Sequence, residues 1–185
     1  MTRYLITPAT RGDLDDIAAM VNAAYRGDTA RRGWTHESDL LDGQRTDARD
    51  LADEIAAPDP STILILREAQ GTPILACVLL QRYRDHDEVT RCHLAMLTVS
   101  PAAQNRGLGR LMVARAEDHA RGLGCAAVDM TVIHLRTELL AWYERRGYRR
   151  TGRTKPFPYG DERVGVPTRT DLHFLELEKP LSGDA

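Results

Sequence analysis

The residues best suited to chemistry lie in one stretch, Ser100-Pro101-Ala102-Ala103-Gln104-Asn105-Arg106-Gly107-Leu108-Gly109-Arg110, between a strand-like run and a helical one. The first amides of a helix have no intrahelical carbonyl to bond, and the helix dipole adds partial positive charge to them. Such an end attracts an anion. Gly107 and Gly109 remove side chains where backbone has to approach a phosphate, and Arg106 and Arg110 add charge beside it. A pyrophosphate suits this arrangement, although the same glycines would equally serve an ordinary turn. Two other phosphate motifs fit less well. The dinucleotide fingerprint needs a third glycine where Met112 stands and an acidic ribose partner that is missing. A P-loop ends in Gly-Lys-Ser/Thr, which is absent. There is no Gly-x-Ser-x-Gly elbow. His36, His86, His119, His134 and His173 are scattered without metal-ligand spacing, so no metal is expected.

The elements that must position this stretch can be read from periodicity. Tyr4 to Thr7 reads as a strand closed by Pro8, and Thr10 with Asp13 as a helix start. Leu14, Ile17, Ala18, Val21 and Ala24 recur at helical spacing. Arg26 to Arg45 is polar and irregular, and a second helix is expected over Ala48 to Ala57, ahead of Pro58 and Pro60. Thr62 to Arg67 and Ile74 to Gln81 are β-type runs joined by a Gln-Gly-Thr-Pro turn, and Arg91 to Val99 is another. Gln104 to Arg121 is an amphipathic helix ended by Gly122 and Gly124. Ala126 to Ile133, Tyr148 to Arg153 and Asp171 to Glu178 read as strands, with a helix over Thr137 to Arg146 and a Pro/Gly-rich loop from Lys155 to Arg169. The order predicts a mixed α/β architecture, one central sheet with helices on both faces.

Length and composition agree. A chain of 185 residues suits one domain, on a prior of about 150 residues per domain, with an ordered core over about residues 3–178. The 25 basic and 27 acidic residues nearly cancel, which argues against a protein built to coat nucleic acid. The longest apolar run, Ile74 to Leu80, is far short of the roughly 20 residues that span a bilayer, and no secretory leader is visible. Cys77, Cys92 and Cys125 sit in apolar stretches and read as buried, reduced thiols. A soluble cytoplasmic protein is the expectation.

Two segments resemble the GNAT superfamily of acyl-CoA-dependent N-acyltransferases. Leu97-Thr98-Val99-Ser100-Pro101 followed by Gln104-x-x-Gly107-x-Gly109 is similar to their acyl-CoA pyrophosphate loop. The likeness continues through Leu111, Glu117, Ala120, Gly122 and Gly124. Leu140-Ala141-Trp142-Tyr143-Glu144-Arg145-Arg146-Gly147-Tyr148 resembles their LYExxGF signature. The resemblance implies a GNAT fold and acetyl-CoA as co-substrate, with Leu97 and Val99 offering backbone groups to the pantetheine arm. It implies a cradle of Gln104, Asn105, Arg106, Gly107, Leu108, Gly109 and Arg110. One position departs: many relatives carry an asparagine seven residues before the tyrosine, and here it is Arg136, expected to reach a phosphate or be solvated. Homodimers are common in the superfamily.

The implied reaction is direct acyl transfer to an amine in a ternary complex. A lysine-like ammonium at pKa about 10.4 is the free nucleophile in only about one molecule in 10³ at pH 7, a cost of roughly 4.6 kcal/mol, so a base is worth having. Tyr143 stands where the superfamily often has a tyrosine that protonates the departing sulfur; it would otherwise be a core aromatic. His93, on a strand where some relatives have a catalytic glutamate, is the candidate base, or else a hydrogen-bonded structural histidine; Glu88 is the alternative. Between residues 37 and 54 seven acids, Glu37 and Asp39 among them, face only Arg45 and Arg49. In relatives this segment roofs the acceptor cleft, so an acidic roof would draw in a cationic amine; a solvated polar face is the bland alternative. Trp34 in that roof, and Tyr159 in the loop Phe157 to Arg163, are the expected pocket walls. The function expected is acetyl transfer from acetyl-CoA to a primary amine of a small molecule. Alternatives are a protein lysine or N-terminal acetyltransferase, or an acyl-CoA-binding module that does no chemistry.

Overall fold

The computed structural model describes residues 4–26, 30–31, 33–34, 36–57, 61–161 and 164–181. Pro58, Pro60, Glu162 and Arg163 lie outside the described residues. Seven strands form one sheet: β1 (Leu5–Pro8), β3 (Thr62–Arg67), β4 (Ala76–Arg84), β5 (Thr90–Val99), β6 (Ala127–Ile133), β9 (His173–Pro180) and β7 (Arg149–Pro156), in that spatial order. Every neighbouring pair is antiparallel except β5 and β6. The parallel pair is joined by a helix, α3 (Leu108–Gly122), because parallel strands cannot be closed by a hairpin.

Side chains alternate across a strand, so each face of the sheet takes every second residue. On one face α1 (Leu14–Tyr25) and α2 (Ala48–Ala56) set Leu14, Ile17, Val21 and Leu51 against Ile63, Ile65, Cys77 and Leu79. On the other, α3 and α4 (Thr137–Glu144) set Leu108, Met112, Ala116 and Leu140 against Val78, Leu80, Leu94, Val128 and Met130. Each fully buried Leu, Ile, Val or Met among them contributes about 1.5–3 kcal/mol. Helices thus cover both faces, as the element order implies.

Local chemistry starts the helices. Asp13 Oδ2 accepts from the Thr10 amide and hydroxyl, both at 2.7 Å, ahead of α1. Asp47 Oδ1 takes the Arg49 and Asp50 amides, both at 2.8 Å, at the start of α2. α3 begins later than its periodicity suggests, at Leu108 instead of Gln104, because Asn105 (φ 63°) and Gly107 (φ 77°) are left-handed and cannot continue a helix backwards. Two short strands, β2 (Leu41–Asp42) and β8 (Val166–Pro167), pair with each other and were not legible in the loops that hold them. Their pairing joins the segment after α1 to the late Pro/Gly-rich loop over a small core of Leu41, Ile133, Phe157 and Leu172. Cys77, Cys92 and Cys125 are buried and free, as their apolar surroundings predict.

Candidate active site

The site begins where β5 and β6 separate. Only Cys92 with Val128 and His93 with Asp129 are paired between them, and beyond that rung the strands diverge. On its other side β5 carries a bulge: the partners Cys77–Thr98 are followed by Leu79–Ala95, one extra residue on β5. Met96 absorbs it with φ 52°, a conformation that costs a side-chain-bearing residue roughly 1–3 kcal/mol. Ala95 and Met96 consequently face the same side, and Leu97 returns to the α3 side. Thr98 Oγ1 donates to the Met96 carbonyl at 3.0 Å and Tyr25 Oη to the Leu97 carbonyl at 2.9 Å, which pin the distorted backbone.

A cleft of about 390 Å³ opens from this gap to the start of α3. Leu97, Thr98, Val99, Gln104, Asn105, Gly107, Leu108, Gly109 and Arg110 form one side of it. Among the described residues no side chain caps α3, and the Leu108, Gly109 and Arg110 amides have no backbone partner. A Cβ on Gly107 would meet nothing within 4 Å, and one on Gly109 would meet Trp142 at 3.5 Å and Val99 at 3.7 Å. Gly107 is therefore needed for its left-handed backbone, and both glycines leave room in front of the bare amides. Gln104 works through its side chain, accepting the Trp34 amide at 2.8 Å and donating to the Val99 carbonyl at 3.4 Å.

α4 forms the opposite wall with Leu139, Trp142 and Tyr143, followed by Arg145 and Arg146. Arg146 lies over the Trp142 ring, 3.4 Å from its centroid, and donates to the Trp142 carbonyl at 2.6 Å. Its Nε is buried without a hydrogen-bond partner. Burial and the charges of Arg145 and Arg110 hold its guanidinium below the usual arginine range. None of Arg110, Arg145 and Arg146 makes an ion pair among the described residues. Three unneutralised cations beside bare helix amides and an open glycine surface fit a polyanionic linker such as the pyrophosphate of coenzyme A. Arg145 and Arg146 were missed in the sequence because they read there as the variable letters of a signature; their pairing with Arg110 across the cleft exists only in three dimensions.

A second chamber of about 190 Å³ adjoins the first, and the two share Tyr25, Leu97, Arg136, Leu139 and Tyr143 as a neck. Tyr143 is 5% exposed, and burial, reinforced by the Tyr25 phenol, raises its pKa well above the ordinary tyrosine value. Its hydroxyl has no hydrogen-bond partner among the described residues. The chamber continues between the diverging strands, lined by His93 to Leu97 and Met130 to Ile133, beneath Glu37, Leu41, Arg45 and Val164. His93 Nδ1 is 2.5 Å from Asp129 Oδ1, and Tyr83 Oη donates to Asp129 Oδ2 at 2.5 Å. Asp129 was invisible in the sequence, an isolated acid in an apolar strand.

Several expected site residues stand in settings that differ from the expectation. Glu37 is 7% exposed and clamped, Oε2 by Arg26 at 2.5 Å and Oε1 by Arg136 at 2.8 Å. Those guanidiniums overcome the burial penalty and hold its carboxyl below the usual range. Asp39 is exposed and paired with Arg31. These two roof acids are thus paired, and the cation the roof turns to the chamber is Arg45, over the Tyr25 ring. Arg136 is not solvated: it lines both cavities at the neck and is paired with Glu37. Arg106 turns away from the cleft to Glu68 and Tyr4. Trp34, 45% exposed, lines the larger cleft and packs near Trp142 at 6.3 Å, not the chamber. Tyr159 lines neither cavity; its hydroxyl accepts the Leu172 amide. Glu88 is exposed in the β4–β5 turn, where it pairs with Arg84. Asp85, His86 and Asp87 in the same turn are the one group of metal-type side chains among the described residues, but Arg91 already holds Asp85.

A sheet opened beside a bulge, with a bare helix end across from a buried tyrosine, is the geometry of a thioester-dependent acyltransferase. Residues 16–148 match the acetyltransferase (GNAT) family, and the chain belongs to that family, the class of acyl-CoA-dependent N-acyltransferases. Over 138 residues, 74% of the chain, it is 30% identical to a mycothiol acetyltransferase of Mycobacteroides abscessus, covering 42% of that protein. It is also 33% identical over 103 residues to glucosamine 6-phosphate N-acetyltransferase 1 of Oryza sativa subsp. japonica, covering 52% of this chain and 58% of that one. The chain thus spans about two fifths of the length of the mycothiol acetyltransferases it matches. The fold superimposes on the ribosomal-protein-S18-alanine N-acetyltransferase from Escherichia coli with a TM-score of 0.66 at 16% identity, covering 99% of this chain and 97% of that one. It superimposes on an N-acetyltransferase from Staphylococcus aureus Mu50 with a TM-score of 0.69 at 11% identity, covering 97% and 98%.

Proposed function

We propose that this protein transfers the acetyl group of acetyl-CoA to a primary amine of a small molecule. The observation that carries the proposal is the neck: the Tyr143 phenol stands between a cleft lined by bare amides and arginines and a roofed chamber containing His93. Acetyl-CoA, when bound, supplies the activated acyl group. Arg110, Arg145, Arg146 and the Leu108 to Arg110 amides would hold its phosphates, with Leu97 and Val99 along the arm. His93 would take one proton from the acceptor ammonium, restoring the nucleophile that is scarce at neutral pH. As the N–C bond forms and the C–S bond breaks, Tyr143 would give its proton to the thiolate and recover one from the new amide nitrogen. His93 would release its own proton to water. Raised by burial, the phenol stays a donor throughout the working pH range.

The small chamber, closed over by residues 37–45 and Val164, supports a compact acceptor over an extended peptide. Arg45 supports an amine that also carries an acidic group, and the rice relative is named for such a molecule. The test is thiol release with neutral amines, amino acids, amino-sugar phosphates and an N-terminal peptide. Amine-dependent release with the small acceptors is expected; CoA binding with no release for any amine would leave a binding module. A cytoplasmic homodimer, as in many members of the superfamily, accompanies this reading and is checked by sedimentation.

A further inference from the structure

We propose that Asp129, locked by Tyr83, is the positioning residue that makes His93 a base. The inference rests on the reading of His93 above. Its starting point is the last paired rung of the parallel seam, where His93 on β5 and Asp129 on β6 sit side by side before the strands part. Because both belong to paired backbone, the contact is set by the sheet and not by loop conformation. Asp129 is 4% exposed, and its two oxygens are filled separately, one by His93 Nδ1 and one by the Tyr83 hydroxyl. A buried carboxylate is expensive unless bonded, and this one is fully employed holding one ring and being held by one phenol. Burial and Asp129 itself raise the Tyr83 pKa, so Tyr83 remains a donor and fixes the carboxylate rotamer.

With Nδ1 donating to Asp129, the neutral ring carries its lone pair on Nε2. That nitrogen has no partner among the described residues, and His93 is one of the residues that line the chamber. The arrangement fixes tautomer and orientation and stabilises the imidazolium that forms when the proton is taken. Other acids nearby are spoken for: Glu178 and Asp85 by Arg91, Glu176 by Arg153, Glu54 by Gln81 and Ser61, and Glu37 by Arg26 and Arg136. Across the chamber stand Arg45 and the Tyr25 and Tyr143 phenols. Among the described residues Asp129 is the one carboxylate paired with the ring.

Two isosteric variants separate positioning from simple structure. Asp129→Asn keeps the shape but removes the charge and one of the two acceptor oxygens, and is expected to lower kcat about 10–100-fold. The KM for the amine should change less than about twofold, and the acid limb of the kcat/KM profile should move to lower pH. Tyr83→Phe leaves the carboxylate with one donor fewer, strengthens its pull on the ring, and should move the same limb to higher pH. Nitrogen-15 NMR of His93 in the ligand-free protein should show the Nδ1–H tautomer, and a mixture in Asp129→Asn. A merely structural carboxylate would not produce opposite shifts. His93→Gln with undiminished turnover would overturn the base assignment itself. A disabled His93→Gln beside an Asp129→Asn protein of unchanged rate, profile and tautomer would overturn the positioning role alone. Should Asp129→Asn fail to fold, an unmoved acid limb in Tyr83→Phe decides against the proposal.

Discussion

Tyr143 and Arg146 occupy the same short helix end yet meet different demands. The tyrosine is buried with its hydroxyl unbonded, a state that is costly unless the group is used or wetted by the cleft. Tyr143→Phe should therefore leave the melting temperature unchanged or raised and lower turnover at least tenfold, with CoA affinity kept; equal turnover would make the residue a packing element. Arg146 and Arg145, by contrast, should act on affinity. Alanine at either is expected to weaken CoA binding about tenfold by calorimetry and to flatten its salt dependence, since each removes one cation from an unneutralised group. The tyrosine was marked in the sequence by its place in a family-like signature and the glycines by their spacing before a helix, and both line the cleft. The arginines and Asp129 were not so marked, since a charged residue on paper carries no sign of which charge it will meet. Glu37 shows the converse: an acid-rich segment suggested attraction for a cation, and folding consumed that charge internally.

At the scale of elements, the strands and helices followed from alternation and 3.6-residue spacing wherever a core face existed. Boundaries slipped where backbone geometry overrode the pattern. Leu108, Met112 and Ala116 mark α3 correctly, but two left-handed residues, Asn105 and Gly107, set its start. The bulge at Met96 gave no signal, because its cause is a register difference between β4 and β5 that no single strand records. Gly107 provides the sharpest check. Alanine there costs about 1–2 kcal/mol for the left-handed backbone. Gly107→Glu adds a negative charge in front of the bare amides and should abolish CoA binding while the circular-dichroism spectrum persists. Unchanged CoA affinity in that variant would remove the cradle from the start of α3.

On the scale of the molecule, Glu37 ties together the end of α1, the roof and the start of α4 through Arg26 and Arg136. Its carboxyl is held below the ordinary glutamate value of 4.5, so its contribution is present above that pH and lost as pH falls through the depressed value. Acid melts should show a stability loss below about pH 4.5 that is blunted in Glu37→Gln. That variant should itself be less stable near neutrality by roughly 3–5 kcal/mol, because it strands buried guanidiniums.

The shared neck also governs kinetics. Among the described residues no cysteine, serine or lysine lines either cavity, and Cys77, Cys92 and Cys125 are buried and free. On the proposed reading, donor and acceptor are resident together, one on each side of Tyr143. Initial-rate lines measured at several fixed acceptor concentrations should converge to a common point instead of running parallel.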